Sequence, residues 1–177
     1  IWYNNQPIAV VVADTFEHAR EAAARLHIEY ERKEAVLDFA KAKQSLHPPE
    51  KVLAQDTDTR RGDLHAGLLA SSMRVDATYT TPTENHNPLE THATIAEWNG
   101  DRLTIHESTQ YMKGVQRIAA AIFGIPPENV TAICPYTGGG FGAKGSLWSH
   151  GPLTAMAAKM LGRPVKLSLD RSQMFGP

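Results

Sequence analysis

A glycine-rich segment constrains the fold of this chain more than any other feature of the sequence. Residues 137–145 read TGGGFGAKG, and five of these nine residues are glycine. Glycine loses more backbone freedom on folding than any other residue, so such a run indicates a sharp turn or a close approach to a bulky group. An apolar stretch at 130–134 precedes it, and a helix-like pattern at 147–161 follows it. A strand, a glycine loop and a helix in this order are typical of backbone N–H groups that face an anion or an oxo group.

Two generic nucleotide-binding patterns fit this loop poorly. The phosphate-binding pattern G-x-x-x-x-G-K-[S/T] needs a glycine before the lysine, but Ala143 precedes Lys144, and Gly145 stands where Ser or Thr should follow. The dinucleotide pattern G-x-G-x-x-G/A matches twice within residues 138–145, which mostly reflects glycine density. The first acidic residue after the loop, Asp170, comes too late to bind a ribose. A dinucleotide-binding module and a ligand-free glycine turn remain as alternatives.

The overall composition narrows the class of protein. A chain of 177 residues forms one large domain or two small ones, and its net charge of −1 gives no electrostatic reason to expect nucleic acid or a membrane surface as a partner. Cys134 is the only cysteine, which excludes an internal disulfide and a site built from cysteine ligands. No signal peptide is visible, and the compartment stays open between cytoplasm and periplasm. Because the sequence starts without methionine and stops just after a strand-like run, we expect a fragment of a longer polypeptide.

The first part of the chain predicts a βαβ-like unit. Residues 7–13 are continuously apolar and β-branched, which is typical of a strand buried on both faces. The sequence Asp-Thr-Phe-Glu at 14–17 resembles a capping box that starts a helix, and a second strand is predicted at 26–31. Beyond it the pattern weakens, and short helices are predicted at 35–46 and at 64–71, the second one capped by the preceding aspartate.

The second part predicts a sheet with two helices. The pair Asn99-Gly100 lies between two alternating segments and signals a type I′ hairpin, and Gly124 is placed to end the first helix. The predicted strands are 73–81, 91–98, 102–108, 130–134 and 165–169, and the predicted helices are 111–123 and 147–161.

Two other groupings of reactive side chains carry weaker signals. His86, Glu90 and His92 lie close in sequence, but no further ligand stands at a telling spacing, so no metal ligated by the protein is predicted. Ser146 and Ser149 near His150 suggest a nucleophile and its base, yet the strand–elbow context and an obvious orienting acid are missing.

A series of segments in a fixed order carries a family resemblance. Besides the glycine loop, these are PIAVVVAD at 7–14, IEY at 28–30, GDL at 62–64, LETHATIA at 89–96, Thr109-Gln110, AAKMLGRPVK at 157–166 and LDRSQM at 169–174. Together they resemble the molybdopterin-binding subunit of the molybdenum hydroxylases, the family of xanthine dehydrogenase and aldehyde oxidase. The resemblance implies an α+β fragment. Residues 1–40 would end an a/b hammerhead domain, 41–72 would be a linker, and 73–177 would begin the molybdopterin-binding domain, with a mixed sheet and helices.

The resemblance also implies a role for each residue around the loop. Gln110 matches a glutamine whose amide hydrogen-bonds an oxygen ligand of the molybdenum. Phe141 matches the residue whose backbone N–H faces the oxo group, while Gly139, Gly140 and Gly142 let that backbone come close. Pterin sulfurs hold the metal, so no protein ligand is expected. The catalytic residue, a glutamate base, is expected downstream of this chain.

The substrate side of the site shows one departure from the purine-oxidising relatives. Those enzymes carry a purine-binding glutamate where this chain has Gly145, and Glu90 falls in a segment near the substrate pocket. We therefore expect hydroxylation of an aldehyde, or of another small carbonyl or aromatic compound, with water as the oxygen source. The implied cofactor is a molybdopterin, with the cytosine dinucleotide form as one option. Electrons would leave through iron–sulfur clusters and FAD on partner subunits or domains. The alternative is a folded, non-catalytic fragment that binds no cofactor.

Overall fold

A computed structural model describes residues 1–52 and 54–175 of the chain. The chain forms two compact units, one made of Ile1–Leu26 with Thr83–Pro177 and the other of His27–Pro82. The described helices are α1 (Phe16–Ala24), α2 (Phe39–Ala42), α3 (Leu64–Ala70), α4 (Met112–Phe123) and α5 (His150–Leu161). The described strands are β1 (Lys51–Val52), β2 (Gln55–Asp56), β3 (Ala93–Asn99), β4 (Arg102–Glu107), β5 (Val130–Ile133) and β6 (Val165–Ser168). None of the described helices is long and apolar enough to cross a membrane.

The larger unit is built on a four-stranded mixed sheet in the order β5-β4-β3-β6. β3 pairs antiparallel with β4 and with β6, whereas β4 and β5 run parallel. Alternation along β4 buries Leu103, Ile105 and Glu107, and the β3 residues opposite the last two, Ala96 and Thr94, are also buried. Opposite residues of an antiparallel pair share one face. That face of the sheet therefore packs into the hydrophobic core, and it also bears the buried carboxylate of Glu107.

Helices α4 and α5 complete this core. α5 packs against β3, and α4 packs against β5. Trp98 on β3 donates a hydrogen bond from its indole N–H to the carbonyl of Ala155 on α5, at 2.8 Å. α4 ends at Gly124, whose φ of 63° is left-handed, as the sequence predicts. The buried apolar side chains form one cluster that draws on both helices and all four strands, made of Ala96, Leu103, Ile105, Val115, Ala119, Ala120, Val130, Leu147, Ala155, Ala157, Ala158 and Val165.

The smaller unit contains short elements whose side chains are mostly exposed. β1 and β2 form an antiparallel pair, and a short 3-10 helix follows α2. α3 begins as predicted, because Asp63 accepts a hydrogen bond from the Ala66 N–H at 3.0 Å.

Several local predictions are wrong, each for a physical reason. The segments 7–13, 26–31 and 73–81 pair with no strand among the described residues, and Ile8 is 48% exposed. Apolar, β-branched runs report a local preference only, and a strand also needs a neighbour to take its backbone hydrogen bonds.

The ends of two elements also differ from prediction. Thr15, rather than Asp14, caps α1, because its hydroxyl accepts the His18 N–H. The β3–β4 turn consists of Gly100 and Asp101, and positive φ occurs only at the glycine. That φ pattern is typical of type II′ rather than type I′ turns.

Candidate functional site

The glycine loop lies between β5 and α5, and two other segments hold it by backbone contacts. The N–H of Gln110 donates to the carbonyl of Lys144 at 2.8 Å, and the hydroxyl of Thr109 donates to the same carbonyl at 3.1 Å. At the other end of the loop, the N–H of Glu90 donates to the carbonyl of Gly138 at 3.1 Å. The loop is therefore attached both to the segment before β3 and to the segment after β4.

The side chain of Gln110 contacts the loop directly. Its Oε1 accepts the backbone N–H of Gly142 at 2.9 Å. Since a backbone N–H can only donate, this contact fixes which end of the amide faces the loop. The Nε2 amide makes no hydrogen bond to any residue that the structure describes, so its two N–H groups are available to an acceptor from outside the chain.

Glycine occupies three loop positions where neighbouring side chains leave too little room for a Cβ. A Cβ at Gly140 would lie 2.3 Å from both Cδ and Oε1 of Gln110. A Cβ at Gly139 would meet the ring of Phe141 at 3.0 Å, and one at Gly142 would meet the imidazole of His86 at 3.1 Å. The glycine at 140 therefore creates the space that the Gln110 amide occupies.

Phe141 has an unusual backbone. Its φ is 54°, in the left-handed region that residues with a Cβ seldom adopt, and its side chain is 70% exposed. Among residues 1–52 and 54–175, no acceptor takes its backbone N–H. The same loop thus presents a free backbone donor at Phe141, close in sequence to the peptide that fixes Gln110.

Glu90 and Lys144 form an ion pair beneath the loop. The Lys144 Nζ donates to Glu90 Oε2 and to the Ser108 hydroxyl, both at 2.7 Å, and the Gly138 N–H donates to the same Oε2 at 2.7 Å. Burial by itself would raise the pKa of Glu90. The hydrogen bonds from Lys144, Ser108 and Gly138 outweigh that effect and lower the pKa to about 2. The carboxylate is therefore ionised at any physiological pH.

Gly145 is exposed and ends the loop. Its N–H donates to the carbonyl of Gly142 at 3.0 Å, and a Cβ built on it would contact only that carbonyl oxygen. A cavity of about 770 Å³ adjoins the loop, and its lining includes His86, Gly142, Ala143 and Trp148. The cavity thus adjoins the loop at Gly142 and Ala143, and its lining within the described residues includes neither Gly145 nor Glu90.

A buried polar cluster next to the loop was missed from the sequence. The carboxylate of Glu107 contacts His150 Nε2 at 2.8 Å through one oxygen and the Thr94 hydroxyl through the other, and the His92 ring lies 4.7 Å from the His150 ring. One ligand atom from each of His92, Glu107 and His150 lies within 4.8 Å of the others. The sequence grouped His92 with His86 instead. The sequence feature that could have revealed the cluster is Glu107, because the alternation along β4 places its carboxylate on the same face as the core residues Leu103 and Ile105.

This cluster also bears on the serine–histidine alternative. The Nε2 of His150 is paired with a carboxylate rather than with Ser149. Both Glu107 oxygens have hydrogen-bond partners, whereas Nδ1 of His92 and Nδ1 of His150 have none among the described residues.

The buried His92 predicts a pH dependence of stability. Burial, followed by the nearby charges of His150 and Lys144, lowers the pKa of His92 from 6.5 to about 4. The unfolded chain therefore binds this proton at higher pH than the folded chain, and folding stability is lost as pH falls from about 6.5 to about 4. We expect a loss on the order of 3 kcal/mol across that window, measured by urea unfolding with tryptophan fluorescence.

The matched variants for this titration are His92→Asn and His18→Asn. His18 is exposed on α1, so its replacement should leave the pH profile unchanged. His92→Asn should flatten the profile between pH 6.5 and 4. A wild-type profile that is already flat there would contradict the argument.

Comparison with known proteins identifies the family. Residues 46–176 match the molybdopterin cofactor-binding domain family. The chain belongs to the molybdenum hydroxylases. It is 40% identical over 172 residues to the aldehyde oxidoreductase molybdenum-binding subunit PaoC of Escherichia coli (strain K12), covering 97% of this chain and 23% of that subunit. It is 31% identical over 171 residues to xanthine dehydrogenase/oxidase of Gallus gallus, covering 94% of this chain and 12% of that protein.

A solved structure agrees with the fold of this molybdenum hydroxylase chain. Quinoline 2-oxidoreductase from Pseudomonas putida 86 superposes with a TM-score of 0.74 at 26% identity, covering 92% of this chain and 22% of that one. The family and the α+β fold predicted from the sequence are confirmed. The chain is a molybdenum-cofactor-binding domain of the aldehyde oxidoreductase and xanthine dehydrogenase type. It spans less than a quarter of the length of the relatives named above.

Proposed function

We propose that this chain forms one wall of the catalytic site in an aldehyde-oxidising molybdenum hydroxylase. The observation that carries the proposal is the orientation of Gln110. Its Oε1 accepts the Gly142 N–H, and its Nε2 amide has no partner among the described residues; the backbone N–H of Phe141, the residue before Gly142 in the loop, has none there either. Two unpaired donors, one on the loop backbone and one on a side chain that is hydrogen-bonded to the loop, suit an oxygen-bearing anionic group, which is what the family's cofactor presents.

The residues of this chain fit that cofactor as donors and not as ligands. When bound, the cofactor supplies two-electron oxidation of a substrate carbon, with water as the oxygen source. Gln110 would donate from Nε2, and Phe141 from its backbone N–H, toward oxygen atoms on the metal. Because the Gly142 N–H and the Gly138–Glu90 contacts already fix the loop, these donors need no reorganisation during the reaction, which is the condition under which such donors contribute most.

The proposed substrate class rests on two residues of this chain and on one relative. Glu90 and Gly145 would line the pocket, and the missing side chain at Gly145 favours an aldehyde, or a small carbonyl or aromatic compound, over a purine. The relative PaoC is named an aldehyde oxidoreductase subunit, which supports the same choice. The catalytic base, the remaining cofactor contacts, the iron–sulfur clusters and FAD would be supplied outside this chain. The cofactor would be a molybdopterin, with its cytosine dinucleotide form as one option, and the isolated chain would be inactive.

The domain arrangement implied by the resemblance is part of the same proposal. Residues 1–40 would close a hammerhead domain, 41–72 would link it to the next, and 73–177 would begin the molybdopterin-binding domain.

Replacing Gln110 by alanine tests the proposal. In the complete, cofactor-loaded subunit we expect kcat to fall by at least about tenfold, because one preorganised donor is lost, with no change in melting temperature. Gln110 is exposed and its backbone contact to Lys144 survives the change, so the fold should tolerate it. Turnover would be measured with an aromatic aldehyde, and molybdenum by elemental analysis.

The matched control is Gln44→Ala, at an exposed glutamine of the smaller unit. It should leave turnover and molybdenum content unchanged. Full activity in Gln110→Ala would remove this residue from the site and, with it, the main support for the proposed function.

A further inference from the structure

Lys144 is the largest fully buried side chain in the part of the chain that the structure describes, with 0% of its surface exposed. A buried ammonium is costly unless it is paired and hydrogen-bonded. Here it is paired with Glu90 Oε2 and bonded to the Ser108 hydroxyl, both at 2.7 Å. A lysine that served to bind an anionic ligand would have to reach that ligand, and a fully buried Nζ with these partners does not.

The backbone of Lys144 controls a different part of the site. Its carbonyl accepts both the Gln110 N–H and the Thr109 hydroxyl. The Lys144 carbonyl therefore fixes the backbone of Gln110 by a hydrogen bond, and the Lys144 ammonium is itself fixed by its ion pair with Glu90. Lys144 thus connects the Glu90 carboxylate, through its side chain, to the backbone of Gln110, through its carbonyl.

Glu90 extends the same linkage to the start of the loop. Its Oε2 accepts the Gly138 N–H at 2.7 Å, and its own backbone N–H donates to the Gly138 carbonyl at 3.1 Å. The carboxylate thus joins Gly138, at one end of the glycine loop, to Lys144, at the other. Its second oxygen, Oε1, makes no hydrogen bond within the described ranges 1–52 and 54–175, and 39% of the side chain is exposed.

We propose that Glu90 and Lys144 are a positioning pair that holds the glycine loop closed at both ends, and thereby sets the Gln110 amide and the Phe141 N–H at the cofactor face. Glu90 acts through Oε2 on Gly138 and Lys144, and its partly exposed Oε1 takes no part in the linkage. This inference rests on the proposed function only for what the donors face. The linkage between the two ends of the loop is a property of this chain alone.

The first test measures the linkage without cofactor. Glu90→Gln, Lys144→Met and the double variant would be made in the complete subunit, and hydrogen exchange would be measured in cofactor-free protein. We expect backbone exchange across residues 138–145 to rise by about tenfold or more in each single variant. The double variant should be more stable than Glu90→Gln, because it no longer buries an unpaired ammonium.

Controls with the same chemical changes at exposed sites are Glu97→Gln on β3 and Lys113→Met on α4. Neither should alter exchange in the loop. Unchanged exchange in the double variant, or strictly additive effects of the two single changes on stability, would overturn the positioning pair whatever the enzyme assays show.

The second test separates positioning from substrate contact. In cofactor-loaded double variant we expect kcat to fall by about tenfold with KM within about twofold of the wild type, since the affected donors act on the reacting group and not on bound substrate. The Mo(V) electron paramagnetic resonance signal should also shift. A raised KM with unchanged kcat would mean that Glu90 binds substrate, and it would overturn the inference.

The two tests also distinguish this inference from the proposed function. Loosened exchange with unaltered kcat and resonance signal would confirm the linkage but would contradict its action on the cofactor face. If Gln110→Ala were then also fully active, the failure would lie in the proposed function itself.

Discussion

Replacing Gly140 by valine is expected to leave the subunit folded but unable to retain the molybdenum cofactor. A Cβ at this position would lie 2.3 Å from Cδ and Oε1 of Gln110 and 2.6 Å from its Cγ. Real Cβ atoms do not approach other atoms so closely, so something must move. The obstacle is a flexible, exposed side chain and not backbone, so Gln110 would swing away and its hydrogen bond to Gly142 would break. We expect molybdenum content to fall by about tenfold or more, with the melting temperature nearly unchanged.

A control and a double variant make this result interpretable. Gly67→Val places the same side chain on α3, where an added Cβ meets nothing within 4 Å, and it should retain full molybdenum. If the displaced Gln110 side chain is what blocks the cofactor, Gly140→Val combined with Gln110→Ala should regain the molybdenum content of Gln110→Ala alone. Normal molybdenum content in Gly140→Val would show that the loop is only a connector between β5 and α5.

The sheet and helices around the site could be predicted because their patterns are local. Alternation along β3 and β4, the helical period of α4 and α5 and the glycine stop at Gly124 each depend on residues near one another in sequence. The strand predicted at 7–13 failed because pairing depends on a neighbour that the local pattern does not reveal. The apolar run has the right side chains and still forms no ladder among the described residues.

In the candidate site, too, some features follow from local sequence and others depend on contacts between distant residues. Glycine density marked the loop, and a family resemblance pointed to Gln110, but neither explains why Gly140 is glycine. The reason is the Gln110 side chain, and the hydrogen bond that fixes that side chain joins residues 32 positions apart. The Glu90–Lys144 pair spans 54 positions and the Glu107–His150 contact spans 43. Contacts of that range follow from the packing of β3, β4 and α5, which no short window of sequence contains.

Removing the buried carboxylate of Glu107 is expected to have a large effect on the stability of the fold. This carboxylate is 4% exposed and bridges the Thr94 hydroxyl on β3 to His150 Nε2 on α5. The His150 Nδ1 already has no partner within the described residues. Glu107→Ala would therefore leave that ring with neither nitrogen paired, and the threonine hydroxyl without its acceptor.

We expect Glu107→Ala to lower the free energy of unfolding by on the order of 3 kcal/mol, since each buried polar group left unsatisfied costs about 1–3 kcal/mol. Urea unfolding of wild type and variant at pH 7.5 measures it. Glu97→Ala is the matched control, because Glu97 is an exposed glutamate on the adjacent strand, and surface substitutions of this kind change stability by about 0.5 kcal/mol or less. Glu107→Gln keeps an acceptor for one partner and should fall between the two. If Glu107→Ala were as stable as Glu97→Ala, the buried cluster would contribute nothing to holding α5 on the sheet, and the loop that precedes α5 would owe its position to its contacts with Glu90, Thr109 and Gln110.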